Sequence, residues 1–166
     1  MSVALNGVPT KEELKRVTPP EEVLAKKPVV MVECFQNIPC DPCAANCPFG
    51  AILPFADIND LPLVDYEKCT GCGICIASCP GLAIFVLDMN YSAREALIKV
   101  PYEMMPLPKK GQMVSGLDRQ GCKVAEVMVQ KVTRTKNKTS IISIVVPKEL
   151  AQIIRNIRVE EAVNGR

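Results

Sequence analysis

The chain has 166 residues, of which nine are cysteine, 14 are proline, and none is histidine or tryptophan. This length is enough for one or two small domains. The absence of histidine excludes a Ser-His or Cys-His catalytic dyad and a histidine ligand for zinc or haem, so a self-contained hydrolase is not expected. Residues 29–98 carry two basic and eight acidic side chains, whereas residues 99–148 carry ten basic and three acidic ones. Such an acidic half and basic half predict separate surfaces for separate partners.

The apolar pattern and the cysteines together predict the cellular compartment of the protein. No apolar run approaches the roughly 18 residues that a membrane-spanning helix needs, so no membrane span is expected. Residues 1–16 lack the basic start and apolar core of a secretory signal. Nine cysteines without such a signal favour metal binding in a reducing compartment over a disulfide framework. We therefore expect a cytoplasmic protein.

Residues 1–28 are predicted to form an N-terminal helical arm. Thr10 followed by Glu13, and Thr18 followed by Glu21, both fit the capping-box pattern at a helix start. These patterns predict short helices near residues 11–17 and 19–26, with Pro19 at the first position of the second helix.

Eight of the nine cysteines form two runs within residues 29–95, and each run ends in Cys-Pro. The second run is complete in the spacing C-x2-C-x2-C-x3-C-P and contains Cys69, Cys72, Cys75 and Cys79. The first run has a longer first gap and contains Cys34, Cys40, Cys43 and Cys47. An offset of 32 residues aligns the last three cysteines of the runs, so each half is predicted to be a strand, a cysteine loop, a helical turn and a second strand.

The spacing of these cysteines favours an iron–sulfur cluster over other uses. Thiolate sulfur is a soft ligand for iron, and Gly71 and Gly73 allow a loop to wrap a cluster with its N–H groups aimed at sulfur. A zinc ribbon would use two separated C-x2-C pairs, and disulfides would need an oxidising compartment.

Through these runs, residues 29–88 resemble a bacterial-type ferredoxin with two 4Fe-4S clusters. In that family the fourth cysteine of each run binds the other cluster. The resemblance therefore implies two [4Fe-4S] clusters with interleaved ligands. One cluster takes Cys69, Cys72, Cys75 and Cys47, and the other takes Cys34, Cys40, Cys43 and Cys79.

The first cysteine of the first run departs from the repeat. Cys34 lies three residues earlier than the repeat requires, which leaves open a 3Fe-4S cluster or another ligand at that site. Pro42 lacks an N–H group, whereas Gly71 and Gly73 offer donors, so we predict that the Cys69/Cys72/Cys75 cluster has the higher reduction potential. The ninth cysteine, Cys122, is predicted to be a free thiol.

Residues 96–166 are predicted to form a small antiparallel β domain with a C-terminal helix. Runs rich in β-branched residues end at turn signals, which indicates three or four strands in a small barrel or curled sheet. Pro147 and the helical spacing of Leu150, Ile153, Ile154 and Ile157 predict a helix over residues 147–158. The expected fold class is thus α+β, with an arm over residues 1–28, a ferredoxin-like two-cluster domain over 29–95 and this β domain over 96–166.

The sequence favours a non-catalytic electron-transfer subunit of an oxidoreductase complex. The segments around the cluster domain resemble additions in small 4Fe-4S subunits of flavin-dependent amine and amino-acid dehydrogenase complexes, which implies flavin-dependent dehydrogenase subunits as partners in a hetero-oligomer. A free soluble ferredoxin-type carrier and a structural or regulatory iron–sulfur module remain open. Nucleic acid is not expected as a partner, because the basic half lacks interleaved aromatic residues.

Overall fold

The computed structural model describes residues 3–160, and its regular elements are short. Five helices lie within these residues: α1 (Val3–Asn6), α2 (Lys11–Val17), α3 (Glu21–Leu24), α4 (Pro42–Ala45) and α5 (Ile74–Ser78). The strands are β1 (Val29–Val32), β2 (Ile84–Asp88), β3 (Glu95–Tyr102), β4 (Met113–Leu117), β5 (Lys123–Thr133), β6 (Ser140–Pro147) and β7 (Asn156–Arg158). In this part of the chain no helix has both the length and the apolar character needed to cross a membrane.

All seven strands join one antiparallel sheet in the order β1-β2-β3-β6-β5-β4-β7. Strands β1 and β2 come from the cysteine-containing segment, and β3 to β7 come from the segment after it. The antiparallel sheet predicted for residues 96–166 therefore continues into the cysteine segment through the β2–β3 pairing. The predicted division at residue 95 coincides with the start of β3, and it stays a prediction.

One cross-strand row of the sheet places the cysteine loops beside the C-terminal strands. Directly paired residues project to the same face of a sheet, whereas successive residues alternate between the two faces. The pairings line up one residue from each of five adjacent strands: Val30, Val86, Lys99, Ser143 and Lys131. The residues next to these along each strand project to the opposite face, and they include Met31 and Ile98, which are buried in the apolar core.

The two ends of the sheet are held together by an ion-pair cluster. Glu33, just after β1, accepts hydrogen bonds from Arg119 Nη2 at 2.6 Å and from Arg155 Nε at 2.6 Å. Arg119 follows β4 and Arg155 precedes β7, which belong to the other end of the strand order. The Arg155 guanidinium also lies over the Phe85 ring, 4.9 Å from its centroid. The sheet therefore curls until its two ends meet, and the curl includes β1 and β2, which lie outside the β domain for which a small barrel or curled sheet was predicted.

The helix predicted over residues 147–158 is wrong. Pro147 ends β6, Lys148–Leu150 forms a single 3-10 turn, and Asn156–Arg158 is strand β7. β-Branched isoleucines fit an extended strand as well as a helix face, and here pairing with β4 decides between them. Gly116 on β4 makes room for the residues just before this strand, because a Cβ there would lie 2.9 Å from Ile154 Cδ1.

The N-terminal arm follows the sequence prediction in its first half only. Helix α2 begins at Lys11 with a reciprocal capping box: the Glu13 N–H donates to Thr10 Oγ1 at 3.2 Å, and the Thr10 N–H donates to the Glu13 carboxylate at 2.7 Å. The second capping box is wrong, since Thr18 Oγ1 instead donates to the Leu14 carbonyl at 2.8 Å and closes α2. Helix α3 consequently starts after Pro20, without a side-chain cap.

Candidate metal centres

The 32-residue repeat is present in the structure as two interlocked halves. Helices α4 and α5 begin at the equivalent residues Pro42 and Ile74. The strand before the first cysteine run, β1, pairs with the strand after the second run, β2. Conversely, Ile52 after the first run bridges to Val64 before the second run. Each half therefore completes the other, which brings the two cysteine runs together on one face of the sheet.

Four cysteines line a first cavity. They are Cys47 from the first run and Cys69, Cys72 and Cys75 from the second. Val30 and Val86 also line it, so the cavity sits on the cross-strand row described above. Cys69 and Cys75 are buried, whereas Cys72 is exposed. We call this site the first centre.

The other four cysteines of the two runs line a second cavity, which we call the second centre. They are Cys34, Cys40 and Cys43 from the first run and Cys79 from the second. Val32 and Ile84, two paired positions further along β1 and β2, lie on its wall. The structure thus places Cys34 with the other three cysteines despite the longer first gap in its run.

The arrangement suits a multi-atom group better than a single ion. Within residues 3–160 no three cysteine or acidic side chains are gathered around one ion position. The cysteines instead line two separate cavities, four cysteines to each. Four thiolates around an apolar cavity form the ligand set of an iron–sulfur cluster.

Backbone N–H groups point at several of the sulfurs. The Ala51 N–H donates to Cys47 Sγ at 3.3 Å, and the equivalent Ala83 N–H donates to Cys79 Sγ at 3.5 Å. At the first centre, the Val30 N–H also donates to Cys69 Sγ at 3.4 Å. The residue equivalent to Val30 in the repeat is Pro62, which has no N–H to donate. The second centre therefore lacks the equivalent of the Val30 donor, although the Gln36 backbone acts to lower the pKa of Cys34.

Burial and backbone donors shift the thiol pKa values in opposite directions. Burial, with the neighbouring thiols, raises the pKa of Cys75 to about 12. Burial also raises the pKa of Cys43 to about 11, although the Ala44 backbone opposes it. Burial acts on Cys47 too, but four backbone N–H groups outweigh it and lower its pKa. Because thiols lose their protons when they bind metal, Cys47 would give up its proton more readily than Cys43 or Cys75.

Gly71 is required where the second cysteine loop passes closest to the arm. Its φ is +66°, and a Cβ at this position would lie 2.6 Å from Pro28 Cβ. A side chain would therefore meet both backbone strain and a direct clash. This close approach holds the Cys69–Cys72 turn against the start of β1.

Lys99 of β3 lies at the first centre but was not identified from the sequence. Its Nζ donates to the Gly71 carbonyl at 2.7 Å and to the Cys72 carbonyl at 3.2 Å. Burial lowers the pKa of Lys99, and the nearby Cys72 thiol opposes that shift. The available signal was a lone lysine in the apolar run Ala96–Val100, but its position beside the cysteine loop depends on the β2–β3 register.

The second centre lies in an acidic environment. Asp60 lines its cavity. Burial, Cys79 and Asp41 together raise the pKa of Cys40. The charged side chains placed at the two centres therefore include Lys99 at the first, and Asp41 and Asp60 at the second.

Cys122 lies apart from both centres. It is exposed in the turn between β4 and β5, where its N–H donates to Asp118 Oδ1 at 2.9 Å. It lines neither cysteine cavity.

Comparison with known proteins identifies a 4Fe-4S binding domain within the chain. Residues 62–85, which contain the complete second run, match the family of 4Fe-4S binding domains. This part of the chain is therefore similar to segments that bind a 4Fe-4S cluster. No solved structure shows a significant match to it.

Several curated proteins are similar to part of the chain. A ferredoxin-type protein NapF of Haemophilus influenzae is 36% identical over 65 residues, or 37% of this chain and 37% of the relative. An ion-translocating oxidoreductase complex subunit of Methanosarcina acetivorans is 43% identical over 58 residues, or 35% and 20%. A thiosulfate reductase electron transfer subunit PhsB of Salmonella typhi is 41% identical over 51 residues, or 31% and 25%. The chain thus spans well under two thirds of these relatives.

Proposed function

We propose that this protein relays single electrons through two [4Fe-4S] clusters as a subunit of an oxidoreductase complex. The first cluster is held by Cys47, Cys69, Cys72 and Cys75, and the second by Cys34, Cys40, Cys43 and Cys79. The observation that carries this proposal is the sorting of eight cysteines into two cavities, each lined by three cysteines of one run and one of the other.

The residues around each cavity fit a [4Fe-4S] cluster. Each cavity has four thiols and a mostly apolar wall, and backbone N–H groups reach sulfurs in both. Hydrogen bonds to sulfur and a water-poor wall tune the potential of an iron–sulfur cluster. The position of Cys34 in the second cavity supports a four-iron cluster over a 3Fe-4S cluster there.

When bound, the clusters supply reversible one-electron chemistry. The chain's own residues would fix the two sites side by side over β1 and β2 and shield them with Val30, Val86, Val32 and Ile84. Lys99 and the N–H donors favour the more negatively charged, reduced form at the first centre, whereas Asp41 and Asp60 oppose it at the second. These charges support the higher potential predicted for the first centre.

Membership of a complex is supported by the names of the relatives and by the extra segments of this chain. The matched relatives from Methanosarcina and Salmonella are named as subunits of larger systems. Here the cysteine segment shares its sheet with five further strands, which provide additional surface for docking. We propose flavin-dependent dehydrogenase subunits as the partners and the cytoplasm as the location.

The test is anaerobic purification of the protein from its native source, followed by measurement of iron, sulfide and flavin per chain. We expect a flavin-containing polypeptide to co-purify and the cluster absorption to bleach and recover through reduction and reoxidation. A monomer that accepts electrons from unrelated reductases would instead favour a free carrier. Clusters that do not cycle would contradict electron transfer and favour a structural role.

A further inference from the structure

A strip of basic side chains lies beside the first centre. It consists of Lys99, Lys131, Arg134, Lys136 and Lys138, which we call the basic strip. Lys99 and Lys131 both pair with Ser143 of β6, so their side chains project to the same face of the sheet. That face carries the first centre, because Val30 and Val86 of the same row line its cavity.

The β5–β6 hairpin brings the rest of the strip to helix α5. Asn137 Nδ2 donates to the Ala77 carbonyl of α5, which ties the hairpin tip to the helix that carries Cys75. Within the hairpin, Thr135 Oγ1 donates to the Thr139 carbonyl at 2.6 Å. Arg134, Lys136 and Lys138, on either side of these tied residues, are exposed to solvent.

The charge of the strip is largely uncompensated. In the structure of residues 3–160, the five side chains of the strip form no ion pair with aspartate or glutamate. Two acidic residues lie close to it: Glu103, which accepts from Thr139 Oγ1 at 2.6 Å, and Asp88, which acts on the charge of Lys99. Five basic groups against two acidic ones leave a positive surface.

The exposed edge of the first centre next to this strip is apolar. Ile74 of α5 is 46% exposed, and Phe49, which lines the cavity, is 49% exposed. Cys72 is exposed between the Gly71 and Gly73 turns. An apolar contact area beside a charged margin is the usual composition of a docking surface, and the charge would steer a partner of opposite sign.

We propose that the basic strip docks an acidic redox protein, whose flavin or iron–sulfur group exchanges one electron with the first centre across Cys72 and Ile74. This inference rests on the proposed function. Each transfer oxidises one of the two groups as it reduces the other, and no bond is formed or broken. The acidic surroundings of the second centre would repel the same partner. The second centre would therefore exchange electrons with a different partner.

The test compares two charge-reversal variants of equal net charge. Lys131→Glu, Lys136→Glu and Lys138→Glu together reverse three of the five charges of the strip, and Lys11→Glu, Lys15→Glu and Lys26→Glu reverse three exposed lysines of the N-terminal arm. Each reduced protein is mixed with an oxidised acidic flavodoxin in a stopped-flow instrument at several salt concentrations, after iron and sulfide contents have been matched to wild type.

We expect the second-order rate constant at low salt to fall by about tenfold or more in the strip variant and by less than about threefold in the arm variant. The wild-type rate should fall as salt rises. Equal losses in both variants, or a wild-type rate insensitive to salt, would overturn the docking proposal. So would unchanged flavodoxin rates combined with strip-dependent binding to phosphatidylglycerol vesicles. A wild-type protein without clusters would instead refute the proposed function itself.

Discussion

Among the cysteines of the second centre, Cys34 is the one whose role as a ligand the sequence left most open. Its run has a longer first gap than the repeat requires, yet the side chain lines the cavity with Cys40, Cys43 and Cys79. The thiol is half-buried, and burial and Cys79 raise its pKa. This environment is that of a ligand site rather than of a thiol exposed to solvent.

We predict that Cys34→Ser removes the second cluster or converts it to a three-iron form, while the first cluster remains. Iron analysis should show a loss of about one to four iron atoms per chain, and EPR spectra should retain one normal centre. Cys122→Ser is the control, because Cys122 lies in an exposed turn outside both cavities. Equal spectra for the two variants would exclude Cys34 as a ligand.

Lys99 is expected to raise the potential of the first centre. Replacing it with methionine removes a positive charge beside the cysteine loop, so the reduced cluster loses a stabilising interaction. We expect the potential of that cluster to fall by on the order of 50 mV, equivalent to roughly 1 kcal/mol for one electron. Lys99→Arg keeps the charge, so its cluster potential should stay close to that of the wild type in an EPR-monitored titration. Identical potentials in all three proteins would rule out this electrostatic role.

At the level of the elements, the second cysteine loop and the arm meet at a contact that tolerates no side chain. We predict that Gly71→Ala lowers the iron content of the purified protein, because the new Cβ meets Pro28. Gly50→Ala is the matched control: its φ of +60° imposes a similar backbone cost of about 1–2 kcal/mol, but the space around it is open. A larger iron loss in Gly50→Ala would contradict this account.

The ion pairs of Glu33 hold the ends of the sheet together, and their contribution should depend on pH. Burial raises the Glu33 pKa, but Arg119 and Arg155 outweigh burial, so the net pKa lies below its ordinary value of 4.5. The stabilisation is therefore complete above about pH 4.5 and is lost as the pH falls through the lowered folded-state pKa.

We predict that Glu33→Gln reduces the free energy of unfolding by about 3–5 kcal/mol at pH 7, because it leaves two arginines without their carboxylate. The difference from wild type should shrink in urea titrations below about pH 4.5. Glu126→Gln is the control, since the exposed Glu126–Lys123 pair should contribute at most about 1 kcal/mol. A Glu33 effect that is constant with pH would contradict this mechanism.

Across the whole molecule, local patterns were predictable and non-local pairings were not. The cysteine spacing identified all eight cysteines that line the two cavities, and the Thr10–Glu13 capping box predicted the start of α2. The isoleucines of residues 150–157 fitted a helix equally well, and only the pairing of β7 with β4 excluded it. The role of Lys99 likewise depends on a register between β2 and β3 that no local pattern specifies.

The molecule places two centres of different charge on one face of a single sheet. The first lies beside the basic strip, and the second beside Asp41 and Asp60. This polarity explains how the acidic and basic halves of the sequence serve one function: each half gives its own charge to one centre.

The most direct test of the two-cluster assignment is an anaerobic redox titration of the full chain followed by EPR. We predict two centres of distinct potential, with a fully reduced spectrum that integrates to about two spins per chain and shows coupling between them. The centre that loses potential in Lys99→Met should be the one of higher potential. A single spin per chain, or no paramagnetic signal after reduction, would contradict the two-cluster relay.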